Sequence, residues 1–255
     1  MNKRIIIGNW KMNPLTEKEA EKLFEAIAQG VSRIKKTLVV VCPPFIYLDK
    51  LTKIRTRKIK LGAQDAFFEE KGAFTGEVSP EMLYNMGVRY TILGHSERRA
   101  LGETNALVNK KIRAALASGL VPILCVGEAV RDENHGYFNL VKTQLSECLD
   151  GVKKTFISKI IIAYEPIWAI SSTVNRHDAS AALCREMAVF IRKVISDKFG
   201  GEARSTQVIY GGSVNEIDAP DFLKDGGIDG LLAGRTSLLA SKFINIVKIC
   251  EALNQ

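Results

Sequence analysis

The sequence predicts an α/β fold, namely a closed (β/α)8 barrel that forms a single domain. Short β-branched apolar runs recur along the whole chain, segments of helical periodicity separate them, and no Pro-, Gly- or Ser-rich linker interrupts the series. At roughly thirty residues for each strand–helix unit, eight units account for all 255 residues. We therefore expect one domain over residues 1–255.

Eight apolar runs are predicted to form the strands. The runs are largely apolar on both faces, a pattern typical of parallel strands that other elements cover on both sides. They occupy residues 5–7, 38–41, 59–61, 90–93, 121–126, 160–163, 207–210 and 228–233.

Helices are predicted between the strands, because apolar residues there recur at every third or fourth position. Examples are Leu23, Ile27 and Val31, and later Met187, Ile191 and Val194. Such an alternating series can also stay open as a doubly wound sheet. The chain lacks both the Gly-x-Gly-x-x-Gly turn of dinucleotide-binding sheets and a Gly-x-x-x-x-Gly-Lys loop, so the barrel is favoured.

Composition excludes several classes of protein. With 46% hydrophobic residues the chain is not disordered, and no apolar run approaches the ~18 residues that a membrane helix needs. Only three isoleucines follow the basic start, whereas a signal peptide needs an apolar region of about 7 to 15 residues. The sequence therefore predicts a cytoplasmic protein with no membrane partner.

The cysteines and histidines indicate neither a disulfide framework nor a metal site. The five cysteines form no Cys-x-x-Cys pair, and most lie in apolar runs where a reduced thiol packs as a small hydrophobic group. His95, His135 and His177 are far apart and show no ligand spacing. No metal and no organic cofactor are expected.

The chain is basic, with 36 Lys and Arg against 28 Asp and Glu and a formal net charge of +8. This charge suits an anionic substrate, an anionic lipid or a nucleic acid. The run at residues 53–60 has five cations and no acid, but no aromatic residues or nucleic-acid motif accompany it. A solvated helix end is the favoured interpretation, and no nucleic-acid partner is predicted.

Polar side chains follow the predicted strands at the end where a barrel of this kind carries its active site. Glu165 follows the sixth strand and precedes a rigid Pro-Ile-Trp stretch, where partial desolvation suits a proton-abstracting carboxylate. A carboxylate bonded only to a neighbouring loop explains this segment equally well. His95 ends the fourth strand, and the N–H groups of a following helical turn would hold its imidazole neutral. The alternative for His95 is a buried histidine whose ring nitrogens are hydrogen-bonded within the core, which is the usual role of a lone histidine.

Lys11 lies just past the first strand, where it can offset negative charge, form a Schiff base or remain solvated. Gly211-Gly212 and Gly234-Arg235 end the last two strands, where barrels build phosphate sites from backbone N–H groups. A base, a neutral donor, a lysine and a phosphate cradle suit proton transfer next to a carbonyl on a small phosphorylated substrate. This is isomerase chemistry.

Five motifs, spread from the first strand to the last, resemble those of the triosephosphate isomerase family. They are Asn9-Trp10-Lys11-Met12-Asn13, Gly72-Ala73-Phe74-Thr75-Gly76-Glu77-Val78-Ser79, Gly94-His95-Ser96-Glu97-Arg98-Arg99, Ala163-Tyr164-Glu165-Pro166-Ile167-Trp168 and Tyr210-Gly211-Gly212-Ser213-Val214-Asn215. The resemblance implies a TIM barrel and a homodimer. It also implies interconversion of dihydroxyacetone phosphate and D-glyceraldehyde 3-phosphate through an enediol(ate), in glycolysis and gluconeogenesis.

The same resemblance implies a role for each catalytic residue. Glu165 would be the base, and neutral His95 would be the electrophile that polarises the carbonyl. Asn9 and Lys11 would support the developing oxyanion, and Glu97 would orient Lys11.

The resemblance also implies contacts beyond the chemical step. Cys125 would pack behind the base, and Thr75 on the loop 65–79 would reach the partner subunit's site. The implied substrate- and phosphate-binding residues are Asn9, Lys11, Ser171, Ser213, Gly234 and Arg235.

The chain departs from the family pattern in two places. The family's mobile lid usually reads Ala-Ile-Gly-Thr-Gly-Lys-Thr-Ala, whereas residues 169–176 read Ala-Ile-Ser-Ser-Thr-Val-Asn-Arg and contain no glycine. After the eighth strand, Gly234-Arg235 stands where the family usually has Gly-Gly. These changes concern the lid and the phosphate site rather than the base or the electrophile.

Two alternatives to a working isomerase follow from these features. The altered lid is compatible with a catalytically inactive binding or scaffold protein, and Lys11 is compatible with a Schiff-base aldolase. A scaffold has no use for a base and an electrophile at converging strand ends, and Lys11 lies in a polar turn rather than on a buried strand. The sequence therefore favours the isomerase.

Overall fold

The protein is an eight-stranded barrel in a computed structural model that describes residues 3–170 and 179–254. All strands are parallel, and hydrogen bonds join them in chain order from β1 round to β8. They are β1 Ile5–Asn9, β2 Leu38–Cys42, β3 Ile59–Ala63, β4 Tyr90–Leu93, β5 Val121–Val126, β6 Ile161–Tyr164, β7 Gln207–Tyr210 and β8 Gly230–Ala233. Strand β8 also pairs with β1, so the predicted closed barrel is confirmed and the open sheet was wrong.

Helices follow every strand and surround the barrel. Within the described residues there are nine α-helices. They are α1 Glu17–Gly30, α2 Phe45–Thr52, α3 Pro80–Met86, α4 Ser96–Ala100, α5 Asn105–Ala117, α6 Gly136–Cys148, α7 Ala181–Phe199, α8 Ala219–Asp225 and α9 Ala240–Ala252. None of these helices is long and apolar enough to cross a membrane.

Local signals in the sequence fix where several helices begin and end. The Thr16 hydroxyl accepts the Glu19 N–H at 3.3 Å, and the Glu19 carboxylate accepts the Thr16 N–H, which together form a capping box before α1. Before α3 the Ser79 hydroxyl accepts the Met82 N–H at 3.1 Å, and Gly87 ends that helix with φ 103°.

The last strand begins two residues later than the sequence predicts, at Gly230 instead of residue 228. Gly227 has a left-handed φ of 62° and turns the chain before the strand. The Asp229 side chain then accepts the N–H of Val208, at 2.8 Å, instead of continuing an apolar run.

Strand side chains alternate between two apolar layers, which explains why the strands are apolar on both faces. Ile5 and Ile7 belong to the cluster inside the barrel, whereas Ile6 belongs to the larger cluster between strands and helices. Phe24 of α1 and Phe243 of α9 belong to that outer cluster and are at most 1% exposed. The interior is therefore a packed core, and the ends of the strands are left for function.

All five cysteines carry free thiols and are buried. Burial raises the pKa of Cys184 to about 12 and that of Cys250 to about 11. These thiols are therefore neutral hydrophobic groups at pH 7.

The basic run at residues 53–60 joins α2 to β3. Lys53, Arg55 and Arg57 are exposed, in agreement with the predicted solvated helix end. Lys58 is only partly buried, and its ammonium donates to the carbonyl of Ile34 at 2.6 Å.

A cluster of buried charges lies beneath the loop that follows β3. The Lys111 ammonium, on a side chain that is 2% exposed, donates to both carboxylate oxygens of Asp65 at 2.8 Å and also to Glu103. Arg98 pairs with Asp65 at 3.0 Å. Burial raises the pKa of Asp65, and the positive charge of Lys111 opposes that shift. Glu103 also accepts the N–H of Gly94, so the cluster holds the end of strand β4.

Candidate active site

A cavity of about 170 Å³ opens at the C-terminal ends of the strands. The loops after β1, β4, β6, β7 and β8 form its walls. It is lined by Asn9, Lys11, His95, Glu165, Ile170, Gly211, Gly212, Ser213, Val214, Asn215, Asp218, Leu232, Gly234, Arg235 and Thr236. The cavity is smaller than the roughly 300 Å³ at which drug-sized sites begin, so it suits a small substrate.

His95 is placed by the first turn of α4, where it is the residue before the helix. The backbone N–H of Glu97 donates to the Nδ1 atom of His95 at 3.2 Å. A nitrogen that accepts a hydrogen bond carries no proton, so this geometry leaves the proton on Nε2. Nε2 lies 3.3 Å from the Oε1 atom of Glu165. The contact between the helix N–H and the imidazole, predicted from the sequence, is therefore present.

Glu165 lies immediately after β6 and is only 2% exposed. Its Oε2 atom accepts the backbone N–H of Ser96 at 3.3 Å. Glycines on both sides make room for it: a Cβ at Gly211 would lie 2.7 Å from the Cγ atom of Glu165, and one at Gly127 would lie 1.9 Å from its carbonyl oxygen. Gly211 therefore makes room for the carboxylate, a function the sequence did not reveal, because a glycine pair at a strand end indicates only a phosphate cradle.

Cys125 packs beside Glu165, as the resemblance implies. Burial raises the pKa of the Cys125 thiol well above its usual range, and the negative charge of Glu165 raises it further. The thiol stays neutral and adds no second negative charge beside the carboxylate.

Lys11 has a left-handed backbone, with φ 53°, that costs a side-chain-bearing residue about 1–2 kcal/mol. Its N–H donates to the Oδ1 atom of Asn9 at 3.0 Å, and the Gln64 amide donates to its carbonyl at 2.8 Å. The Lys11 ammonium pairs with the Oε1 atom of Glu97 at 2.6 Å. These contacts hold the strained turn and keep the ammonium at the cavity.

Gln64 supports the turn that carries Lys11, a role that the sequence did not reveal. Its amide donates both to Lys11 and to the carbonyl of Cys42, at 2.9 Å, and so ties together the ends of β1 and β2. The only signal was its position directly after the third strand.

The predicted phosphate cradle lies on one wall of the cavity. The N–H of Ser213 donates to the carbonyl of Ala169 at 3.1 Å, and the N–H of Gly211 donates to Tyr164 at 2.7 Å. Those two donors are therefore engaged within the chain. Gly234 and Arg235, which lead into the 3₁₀ turn Arg235–Leu238, line the same cavity at the end of the neighbouring strand β8.

The start of the predicted lid is anchored by Glu128, a fully buried residue after β5. The Oε1 atom of Glu128 accepts the Tyr164 hydroxyl at 2.8 Å and the Trp168 indole N–H at 2.9 Å. Arg131 approaches the same oxygen at 3.4 Å. The only signal for Glu128 in the sequence is its position shortly after the fifth strand. Ser171 and the rest of the altered lid segment, 171–176, lie outside the described residues.

Thr75 does not lie at this cavity. It is exposed on the loop 65–79 between β3 and α3, and Phe67 and Phe74 pack within that loop with their ring centroids 4.7 Å apart. Glu97 is not a lining residue either, but it contacts Lys11.

Residues 4–250 match the family model described as triosephosphate isomerase. The chain belongs to the triosephosphate isomerase family. It is 46% identical over 252 residues to a triosephosphate isomerase from Dehalococcoides mccartyi, an alignment that covers 97% of this chain and 96% of the relative. It is 45% identical over 251 residues to that of Thermoanaerobacter pseudethanolicus, with 97% and 99% covered.

A solved structure supports the same family assignment. The crystal structure of the triosephosphate isomerase from Bartonella henselae superposes with a TM-score of 0.85 at 34% identity and covers 97% of this chain and 98% of that one. The TIM barrel and the resemblance drawn from the motifs are therefore confirmed, and the protein is an isomerase. Across the described part of the chain, no group of three or more His, Cys, Asp or Glu side chains is placed to hold a metal ion.

Proposed function

We propose that this triosephosphate isomerase family member interconverts dihydroxyacetone phosphate and D-glyceraldehyde 3-phosphate by proton transfer through an enediol(ate). The observation that carries the proposal is the pairing of Glu165 with His95 Nε2, 3.3 Å apart at the wall of one small cavity. A carboxylate base and a neutral donor at this distance can act on adjacent carbon and oxygen atoms of one substrate.

The proton moves between neighbouring carbons of the substrate. The Glu165 carboxylate removes a proton from the carbon next to the carbonyl while the Nε2–H of His95 donates a hydrogen bond to the carbonyl oxygen. The resulting enediol(ate) takes a proton back from Glu165 at the other carbon, and the substrate's hydroxyl proton passes to the former carbonyl oxygen through His95 Nε2, so that the carbonyl moves to the neighbouring carbon. Because Glu165 is bonded to the Ser96 N–H, its carboxylate must leave that N–H to reach the substrate.

Charge stabilisation is assigned to the other polar groups of the cavity. The Lys11 ammonium, held by Glu97, offsets the negative charge that develops on the oxygen, and Asn9 borders the same space. We assign the substrate phosphate to Ser213, Gly234 and Arg235, together with Ser171 from the lid. The Ser213 N–H, which donates to the Ala169 carbonyl in this structure, must leave that carbonyl to reach the phosphate.

The experiment that tests this function is a coupled assay with D-glyceraldehyde 3-phosphate. The formation of dihydroxyacetone phosphate is followed through its reduction by an NADH-dependent dehydrogenase. We expect turnover that saturates with substrate. A folded protein that binds the substrate without turnover would show the inactive scaffold instead.

The Schiff-base aldolase has no support from the geometry. The Lys11 side chain pairs with the Glu97 carboxylate at 2.6 Å, and that contact occupies the amine that a Schiff base would need. Borohydride reduction in the presence of substrate is expected to leave Lys11 unmodified.

The proposed isomerisation of the two triose phosphates belongs to glycolysis and gluconeogenesis, and we propose a cytoplasmic location on that basis.

His95 is expected to be neutral at pH 7 with its proton on Nε2, because the Glu97 N–H occupies Nδ1. ¹⁵N NMR of protein labelled at histidine distinguishes the two nitrogens directly. His135, whose Nδ1 lies 3.0 Å from the Tyr137 hydroxyl, is the internal comparison. A doubly protonated His95 ring at pH 7 would remove its role as the electrophile.

We further propose that the protein is a homodimer that forms through the loop 65–79. Large apolar side chains are exposed on this loop, on the turn after β1 and at the start of α2: Phe74 is 43% exposed, Met12 89%, Leu15 88% and Ile46 77%. Exposed apolar side chains grouped in this way are typical of a protein interface.

The mass in solution is expected to be twice the 28.2 kDa of the chain. Thr75→Arg is expected to shift it toward that of the single chain, because the loop would carry an unpaired charge into the interface. Val189→Arg, at an apolar position on α7 that is 60% exposed, is the matched control and should leave the mass unchanged. Light scattering after gel filtration measures both; a monomeric wild type, or a Thr75→Arg variant of unchanged mass, would contradict this interface.

A further inference from the structure

A second, larger cavity lies at the opposite end of the barrel, where the strands begin. It has a volume of about 790 Å³, within the range of small-molecule sites. We name it the basal cleft and define it by the six cationic residues on its lining: Lys3, Arg4, Lys35, Lys36, Arg192 and Arg204. Because parallel strands all point the same way, the basal cleft is separated from the active-site cavity by the full height of the barrel core.

The cations of the basal cleft come together because neighbouring strands begin side by side. Lys3 and Arg4 precede β1, Lys35 and Lys36 precede β2, and Arg204 precedes β7. Strands β7, β8, β1 and β2 are consecutive in the closed barrel. Sequence-distant basic residues are thus brought to one concave surface.

Little negative charge balances the basal cleft. Among the described residues that line it, Asp229 is the one that carries a side-chain carboxylate, and it is already paired with Arg192 at 2.7 Å. Among the residues that the structure describes, Lys3, Lys35, Lys36 and Arg204 form no ion pair. Four of the cations are therefore free to neutralise a bound anion.

The nearby carboxylate of Glu251 organises the cleft instead of neutralising its side chains. It accepts the backbone N–H groups of Lys35, Lys36 and Thr37 at 2.7–3.0 Å. Burial opposes the shift, but these hydrogen bonds lower the pKa of Glu251, so its charge persists at pH 7. Because these hydrogen bonds engage only the backbone of the turn, the ammonium groups of Lys35 and Lys36 remain exposed.

Donors without acceptors also point to an anion. The Nη1 atom of Arg4 is buried and has no hydrogen-bond partner within the described chain. The Lys3 ammonium donates to the carbonyl of Lys35 at 3.0 Å, which fixes it at the cleft and leaves two of its protons for a ligand. A phosphate oxygen is the acceptor that such donors bind most strongly.

We propose that the basal cleft binds a linear polyphosphate group of at least three phosphates. Its several cations, spread over a cleft of this size, fit a chain of phosphates better than a single one. No aromatic side chain is present among its lining residues, so there is no platform on which nucleobases could stack, and a nucleic-acid strand is disfavoured. The group can come from inorganic polyphosphate or from a nucleoside triphosphate.

The test is calorimetric titration of the folded protein with inorganic tripolyphosphate at about 50 mM salt, where screening is weak. The cleft variant is Lys35→Gln/Lys36→Gln/Arg204→Gln. These three side chains make no hydrogen bond or ion pair within the described residues, so the variant is expected to fold. We expect it to lose at least ~10-fold in affinity, since three charge-assisted contacts disappear.

A matched control separates the cleft from net charge. Lys18→Gln/Lys142→Gln/Lys224→Gln removes the same charge from exposed lysines outside the cleft. It should change the affinity for tripolyphosphate less than twofold. Equal losses in the two variants would overturn the proposal, because only overall charge would then matter, and so would an affinity in the cleft variant equal to wild type.

Titrations with other ligands identify the source of the phosphate group, and a turnover measurement separates the cleft from the active site. ATP is expected to bind like tripolyphosphate and AMP at least ~10-fold more weakly, since the phosphate chain is what the cleft contacts. Tripolyphosphate that fails to bind while a DNA oligonucleotide or an anionic lipid vesicle does would overturn the proposal in favour of those polyanions. The cleft variant should keep wild-type isomerase turnover, so the outcome is independent of the proposed catalytic roles.

Discussion

The Glu165→Gln variant is expected to lose ~10²- to 10⁴-fold in turnover, the effect of removing a general base. This corresponds to about 2.7–5.5 kcal/mol of transition-state stabilisation. The amide has the shape of the carboxylate and can still accept the Ser96 N–H, so the fold and the cavity should be preserved. Steady-state kinetics in both directions measure the loss.

Substrate affinity should change much less than turnover in this variant, because the base acts on the reacting carbon and contributes little to ground-state binding. Glu202→Gln, at an exposed carboxylate far from the cavity, is the control and should match wild type. Turnover of Glu165→Gln within a few-fold of wild type would show that another group abstracts the proton. The aldose–ketose reaction would then need a different base in the same cavity.

The barrel could be predicted from the sequence because its physical cause is local. Each strand must be apolar on both faces to fit between the barrel interior and the helices, and runs such as Ile5, Ile6 and Ile7 carry that requirement in consecutive residues. The strand ends then locate Lys11, His95 and Glu165 without any knowledge of distances. The boundary at Gly230 was missed because Asp229 is set by contacts with β7.

The contacts that support the catalytic residues could not be predicted, since they join residues far apart in sequence. Gln64 holds Lys11, and the Ser96 N–H holds Glu165 across 69 positions of the chain. Ser213 shows the same limit: its N–H, expected at the phosphate, is bonded to Ala169. Closure of the barrel decides these pairings, and no local pattern encodes them.

Charge alone did not reveal which lysine is buried. A lysine in an amphipathic helix usually lies in solvent, and nothing local distinguishes Lys111 from its neighbour Lys110. The structure buries Lys111 because Asp65 and Glu103 converge on it from other segments. The basal cleft arises in the same way, from strand starts that are distant in sequence but adjacent in the closed barrel.

Lys111→Met is expected to lower the free energy of unfolding by about 3–5 kcal/mol, the cost of breaking a buried ion pair from one side. Methionine fills a similar volume, so the loss comes from charge: Asp65 and Glu103 would keep only Arg98 as a cationic partner. Urea unfolding at pH 7 and a fixed protein concentration measures the difference.

The loss of unfolding free energy in Lys111→Met should also depend on pH, and the direction of that dependence distinguishes charge from packing as its cause. Burial raises the pKa of Asp65 in the folded protein. The ionised carboxylate therefore lowers the free energy of unfolding as pH rises above the pKa that Asp65 has in the unfolded chain. Without the Lys111 charge this destabilisation grows. We expect the deficit of Lys111→Met to be largest near pH 7 and to shrink as pH falls toward 4, where Asp65 takes up a proton. Lys110→Met, at the exposed neighbouring position, should stay within about 0.5 kcal/mol of wild type at every pH. A deficit below about 1 kcal/mol, or one equal at pH 7 and pH 4, would mean that packing rather than charge fixes Lys111 in the fold.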